Sequence, residues 1–217
     1  TSFCWVTQEV TWVTQQNDVE GRALAWAPQG GRIAWTTNDD GSMQIHAGAP
    51  KSGQRGTALR MRRGRFEDAR FSPDGRSLAF RYSNPSRAAD LWIYDVARGA
   101  SRQVTFSMAG SLRIDHLVDP YLVSWWGFDG QPLTGYLYVP NNLREDERRP
   151  AVVWAHDGPG QQHDSGFDAG VQCLVSHGYV VLAPNFRGSA GFGRVFEARN
   201  DLDWGGGDLQ DLVEGAS

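Results

Sequence analysis

The sequence predicts β-propeller blades, all-β and incomplete, over residues 1–114, followed by an α/β domain over residues 115–217. Three observations lead there. A hairpin repeats in the first half at a fixed offset, the repeat stops after Phe106, and buried strands then alternate with amphipathic helices. Fixed-period self-similarity points to stacked supersecondary units, and strand–helix–strand order points to a parallel sheet with crossover helices.

The repeat is short but in register. Trp26-Ala27-Pro28-Gln29-Gly30, with Ile33-Ala34-Trp35 after it, recurs as Phe71-Ser72-Pro73-Asp74-Gly75 with Leu78-Ala79-Phe80, at an offset of 45 throughout. In each copy an apolar strand enters a Pro-x-Gly turn and leaves as a second strand. Proline presets the first turn angle, and glycine takes a backbone conformation that other residues resist. Two more β-rich runs follow, Asp90 to Asp95 and Arg102 to Thr105, so each period holds four short strands, the layout of a propeller blade. Two such units cannot close a ring, and repeat units bury their faces on neighbours, so upstream blades are expected. The opening run, Thr1 to Val13, alternates polar and apolar residues and reads as a strand already under way rather than a signal peptide.

In the second half, Tyr121 to Phe128 and Leu133 to Val139 read as a hairpin turning at Asp129-Gly130. Ala151 to Ala155 is a continuous apolar run, expected of a strand buried on both faces. Val171, Leu174 and Val175 share a helix face that ends at Gly178. Tyr179 to Ala183 is a second buried strand, stopped by Pro184. Helices are expected over Phe192 to Arg199 and from Asp208, the latter with Leu209, Leu212 and Val213 on one face.

Composition narrows the function classes. Of the 217 residues 40% are hydrophobic, and nine are tryptophan, which suits a globular core rather than disorder. The net charge of −4, with arginines and acids interspersed, argues against nucleic acid or an anionic membrane as the main partner. Cys4 and Cys173 sit in no metal-ligand spacing, which excludes a disulfide scaffold and favours a reducing, cytoplasmic setting. No metal or cofactor is expected. Gly205-Gly206-Gly207 lacks the lysine of a phosphate loop, and Asp201, Asp203, Asp208 and Asp211 fit no calcium loop.

The segment that carries chemistry is His156-Asp157-Gly158-Pro159-Gly160, directly after a predicted buried strand. A glycine-bearing turn there leaves backbone N–H groups free to face a ligand above the sheet. Two further motifs follow in order, Asn185-Phe186-Arg187-Gly188-Ser189-Ala190-Gly191-Phe192-Gly193 and Asp203-Trp204-Gly205-Gly206-Gly207-Asp208. Together with the hairpin from Phe128 to Pro140, they resemble successive signatures of the prolyl oligopeptidase family of serine peptidases. The acylaminoacyl- and dipeptidyl-peptidase-like branches are the most similar, with His-Gly-Gly-Pro, Arg-Gly-Ser-x-Gly-x-Gly and an acidic Trp-Gly-Gly. The likeness runs from about residue 68 to 217. The propeller repeats also resemble those of TolB-type binding proteins.

The resemblance implies the N-terminal half of an α/β-hydrolase domain and a peptide substrate. It gives the Gly158 N–H to the oxyanion hole, with His156, Asp157 and Pro159 shaping its turn. Arg187 and Ser189 fall at the rim as candidate binding residues, although Arg187 equally suits a structural ion pair with Asp203 or Asp208. Asp157 departs from the family's usual glycine, putting negative charge near a developing oxyanion. No Gly-x-Ser-x-Gly elbow occurs, and His156, His163 and His177 precede the place where a triad histidine belongs, so the triad is expected beyond Ser217 and the chain alone inactive. A non-catalytic TolB-like scaffold and an esterase of the same fold are the alternatives.

Overall fold

The computed structural model describes residues 3–6, 9–12, 25–39, 41–49, 57–108, 114–144, 146–158 and 160–217. The chain divides into two compact units. The first comprises Thr1–Asn84, Ala88–Ala109 and Asp164–Gly166, and the second Pro85–Arg87, Gly110–His163 and Phe167–Ser217.

The first unit opens with an antiparallel pair, β1 (Phe3–Val6) and β2 (Glu9–Trp12). Two four-stranded antiparallel meanders follow: β3 (Ala25–Trp26), β4 (Ile33–Asp39), β5 (Ser42–Gly48) and β6 (Thr57–Ala58), then β7 (Arg65–Phe71), β8 (Ser77–Asn84), β9 (Arg87–Asp95) and β10 (Ala100–Gln103). Both run in sequence order across the sheet, as the four-strand period predicts. The repeat extends to individual bonds. In the β3–β4 turn Gly30 N–H donates to Ala27 and Ala27 N–H to Arg32; in the β7–β8 turn Gly75 donates to Ser72 and Ser72 to Ser77. Gly30 and Gly75 sit at φ 74° and 66°, the left-handed conformation these turns require.

Ala34, Ile45, Phe66, Leu78 and Phe80 fill the core of this unit. The Phe66 ring lies 4.8 Å from Tyr82, which meets Trp92 edge-on at 5.6 Å. Asp90, although buried, is satisfied: its carboxylate accepts from Gln103 Nε2, Thr105 Oγ1 and the Ser107 N–H, tying the last strand to the third.

After a 3-10 turn at Ile114–His116 the second unit forms a mixed sheet. Its strands are β11 (Tyr121–Trp126), β12 (Pro132–Tyr138), β13 (Ala151–Val153) and β14 (Val180–Asn185), in the order β11-β12-β14-β13. Among the described residues only β13 and β14 are parallel, joined across helix α1 (Ala169–Ser176), so the parallel sheet expected from strand–helix alternation is confined there to that pair. Asp168 caps α1, its carboxylate accepting from Gly170 and Val171 N–H. Val171 and Val175 pack on Tyr136, Tyr138, Val181 and Ala183. Gln172 adds a buried polar tie, its side chain bonding both backbone groups of Val118 and the Pro85 carbonyl. Helix α2 (Arg194–Glu197) continues as a 3-10 turn at Ala198–Asn200, and α3 spans Gly207–Gly215.

Two expectations about the strands are corrected. Among the described residues β13 pairs with β14 alone, and Val153 is 38% exposed, so it is not buried on both faces. β14 is not stopped by Pro184 but runs through it to Asn185. Backbone groups alternate sides along a strand, and Leu182 turns its carbonyl toward the β13 side, accepting from Trp154 N–H. Pro184, two residues on, faces that same side past Leu182, the last β14 residue in register with β13, so its missing N–H breaks no bond there. Opposite it stands Gly135, where a Cβ would lie 2.9 Å from the Ala183 carbonyl oxygen and 3.0 Å from Pro184 Cα. No helix among the described residues is long and apolar enough to cross a membrane.

The close approach of β12 and β14 makes Gly135 a sensitive position. Gly135→Ala should cost about 1–3 kcal/mol by forcing the strands apart, read as a lower urea midpoint; an unchanged midpoint would show that the backbone gives way freely.

Candidate functional site

The loops that leave the carboxyl ends of β13 and β14 build the site, the usual position for ligands in α/β sheets. They are joined along their length. Gly160 N–H donates to the Gly188 carbonyl, Ala190 N–H to Gln161, and Asn185 exchanges two bonds with the backbone of His163.

At the start of the first loop, His156 lies flat on the Phe186 ring, with centroids 4.3 Å apart and 14° between planes, and meets His163 edge-on at 5.4 Å. His163 Nε2 is 2.5 Å from the Trp154 carbonyl oxygen. His156 Nε2 is 2.8 Å from Ser189 Oγ, and Nδ1 is 3.2 Å from the Asp157 carbonyl oxygen. Ser189 is fully buried, and its Oγ is 2.6 Å from the Phe186 carbonyl oxygen. Burial, with help from the neighbouring His163, pushes the His156 pKa down to about 4, so the ring is neutral at pH 7.

Gly158 follows at φ 44°, exposed, with open space where a Cβ would stand. Among the described residues nothing accepts from its N–H. Asp157 is exposed and does not take a positive φ, so aspartate is sterically unremarkable there. Pro159, expected to shape the turn, lies outside the described residues.

Arg187 is the electrostatic centre of the second loop. Only 6% of it is exposed, and it donates from Nε and Nη2 to the two oxygens of Asp211, at 2.8 and 2.7 Å. Its Nη1 and Nη2 reach Asp129 at 3.1 and 3.0 Å, and its own N–H also donates to Asp211. The guanidinium sits 4.6 Å from the centre of the Phe128 ring. This paired charge raises the Arg187 pKa, and the Arg187 hydrogen bonds hold Asp129 below the usual carboxylate range.

The ion pair expected with Asp203 or Asp208 is therefore made with Asp211 and Asp129. Asp203 instead accepts from Gly207 N–H at the start of α3, and Asp208 from Asn200. The α3 face is corrected as well: Leu209 and Val213 are 55% and 58% exposed, whereas Asp211 is fully buried. An apolar stripe suggested which way the helix turns, and the buried guanidinium decides otherwise. The structure thus gathers His156, Gly158 and Ser189 around one loop pair and sets Arg187 behind the second loop. From the sequence Asp211 was weighed only against a calcium loop, Phe186 only as a member of its motif and Asp129 only as the turn residue beside Gly130; none was given the contacts it makes here.

The Prolyl oligopeptidase family model matches residues 165–217. Dipeptidyl aminopeptidase BIII of Pseudoxanthomonas mexicana is 30% identical over 147 residues, covering 65% of this chain and 21% of that protein. Dipeptidyl-peptidase 4 of Giardia intestinalis is 32% identical over 106 residues, 46% of this chain and 14% of that protein. Among solved structures, puromycin hydrolase superposes with a TM-score of 0.84 at 22% identity, covering 97% of this chain and 33% of that one, a likeness of fold. The chain spans a third or less of each of these relatives.

Two measurements probe the site's electrostatics. Arg187→Met leaves Asp211 buried and unpaired and should cost about 3–5 kcal/mol in urea denaturation. Pairing it with Asp211→Leu should recover part of that loss, whereas strictly additive losses would deny the coupling. The His156 pKa near 4 lies below the 6.5 of an unfolded histidine, so the unfolded chain binds more protons between those values. Stability should fall as pH drops from about 6.5 to about 4, and His156→Gln should flatten that part of the profile; parallel profiles for both proteins would contradict a buried neutral ring.

Proposed function

The chain belongs to the prolyl oligopeptidase family, and from that premise we propose that it is one segment of a serine-type peptidase acting on short peptides through an acyl-enzyme. In this reading residues 1–114 are the C-terminal blades of a β-propeller, and residues 115–217 are the N-terminal part of an α/β-hydrolase domain. The two meanders and the mixed sheet support that division. The free Cys173 suits a reducing compartment such as the cytoplasm.

The observation that carries the proposal is the exposed Gly158 N–H on the loop after β13, with no acceptor among the described residues. In acyl transfer a serine oxygen adds to the peptide carbonyl, and the carbonyl oxygen becomes an anion. Backbone donors placed in advance stabilise that charge without reorganising, and losing one costs roughly 10²–10³ in rate. In this fold one donor comes from the loop where Gly158 stands, and the other from the residue after the nucleophile. The 217 residues contain no Gly-x-Ser-x-Gly, so the nucleophile, acid and histidine of the triad are assigned to sequence outside them. Arg187 and Ser189 then serve at the rim by holding its loops in place.

A serine-directed fluorophosphonate separates this reading from its alternatives. The gene product carrying this chain should be labelled once, on a serine outside residues 1–217, and should release product from short peptides. The 217 residues alone should stay unlabelled. Labelling within them, or a gene product that never reacts, would overturn the assignment.

A further inference from the structure

Where β13 and β14 stop pairing, one carbonyl of the site is left to find a donor elsewhere. On the side of β14 that faces β13, Val180 N–H donates to the Pro150 carbonyl, and the Leu182 carbonyl accepts from Trp154 N–H. Parallel pairing advances two residues at a time on both strands. Continued by one step, it would join the N–H of residue 184 to the Trp154 carbonyl. Residue 184 is proline and has no N–H. No backbone N–H among the described residues donates to the Trp154 carbonyl. The group that reaches it is the His163 ring, whose Nε2 lies 2.5 Å from the oxygen.

A carbonyl oxygen only accepts, so His163 Nε2 must carry a proton. The neutral ring in that tautomer and the imidazolium both supply it. Asn185, the residue after the proline, places the ring. It is fully buried, and its amide grips both backbone groups of His163. Oδ1 accepts the His163 N–H at 2.8 Å, and Nδ2 donates to the His163 carbonyl at 3.0 Å. A backbone N–H only donates and a backbone carbonyl only accepts, so the amide can face one way only. The bond from His163 to Trp154 spans nine residues and closes the neck of the segment that carries His156 and Gly158. A loop whose ends are held together has fewer conformations to sample.

We propose that His163 is a positioning residue: its Nε2–H takes the place of the N–H that Pro184 lacks, and so closes the neck of the loop that presents the Gly158 N–H. Three neighbouring features divide the task. Pro184 withholds the backbone donor, Asn185 sets the His163 backbone against the end of β14, and the ring supplies the donor. A ladder bond from β14 would hold only the Trp154 end of the segment. The ring bond holds Trp154 to His163 as well, and Asn185 holds both to the sheet. The catalytic consequence rests on the reading of Gly158 as an oxyanion donor; the bridge itself does not.

Hydrogen exchange of the full gene product tests the bridge. In His163→Leu the amides of Ala155 to Gly158 and Gly160 to Gln162 should exchange about tenfold faster or more, as local opening becomes easier. Adding Pro184→Ala, which puts a backbone N–H at the ladder position, should return part of that protection. Unchanged exchange in His163→Leu, or a double variant no better protected than the single one, would overturn the proposal. Nitrogen-15 NMR of the unaltered protein should find His163 Nε2 protonated at pH 7; a bare Nε2 would overturn it whether or not the variants fold. Kinetics test the consequence. His163→Leu should lower kcat about tenfold or more, toward the roughly 10²–10³ of a lost oxyanion donor, with KM nearly unchanged. His163→Gln, whose amide nitrogen can take the place of the ring Nε2, should lose less. Equal losses in both, or a loss expressed in KM, would sink the positioning role. A gene product with no peptidase activity would instead sink the reading of Gly158, and exchange and NMR would then decide the bridge.

Discussion

A buried guanidinium organises the second unit. Arg187 comes out of β14 with almost no exposure, and an uncompensated charge there would cost several kcal/mol. Its two carboxylate partners come from elements distant in sequence: Asp211 from α3, and Asp129 from the β11–β12 turn. The bidentate geometry with Asp211 fixes direction as well as distance. The helix must therefore turn its aspartate inward and leave Leu209 and Val213 outside. The requirement extends to the helix start, where a Cβ on Gly207 would lie 2.8 Å from the guanidinium. Trp125 on β11 closes the arrangement by donating to the Asp211 carbonyl.

From that anchor the path to the candidate site is short. Arg187 and Ser189 share one tight loop, so fixing the arginine fixes the serine two residues on. Gly188 and Ala190, on either side of Ser189, bond Gly160 and Gln161 of the neighbouring loop. The Gly158 turn is thus supported by a second loop, which is itself clamped by an ion pair beneath it. Surface loops without such bonding sample many conformations, whereas an oxyanion donor is effective only when placed in advance. A buried ion pair is a poor source of net stability, and here its value lies in geometry.

Local patterns in the sequence were legible where local physics decides. The Pro-x-Gly hairpins, the β11–β12 turn at Asp129-Gly130 and the helix ending at Gly178 depend on residues a few positions apart, and all three stand as expected. What stayed hidden depends on partners. Whether β13 has one neighbour or two is a property of the sheet, not of Ala151 to Val153. The passage of β14 through Pro184 follows from where its parallel partner ends. The α3 face was misread because hydrophobic periodicity takes no account of a distant arginine. The pairing of Arg187 was sought among the nearest motif acids, while the partners lie 24 and 58 residues away. The His156–Ser189 contact, across 33 residues, left no trace in either motif alone, since each reads as a complete turn.

Asp157 shows how the same reasoning bears on an unusual residue. Two separate demands meet at this turn, one steric and one electrostatic. The steric demand falls on Gly158, which takes φ 44°, and not on Asp157, so the aspartate costs nothing in backbone strain. The electrostatic demand concerns charge near a developing anion. Two unit charges about 4 Å apart repel by about 1 kcal/mol in water, and the Asp157 side chain is exposed to solvent. About 1 kcal/mol is roughly a fivefold effect on a rate. An aimed N–H donor is worth roughly 10²–10³. If Gly158 supplies the donor proposed above, the direction of its peptide plane therefore matters more to the turn than the Asp157 carboxylate does. On the proposed role of Gly158 as an oxyanion donor, an aspartate at position 157 is therefore compatible with the turn.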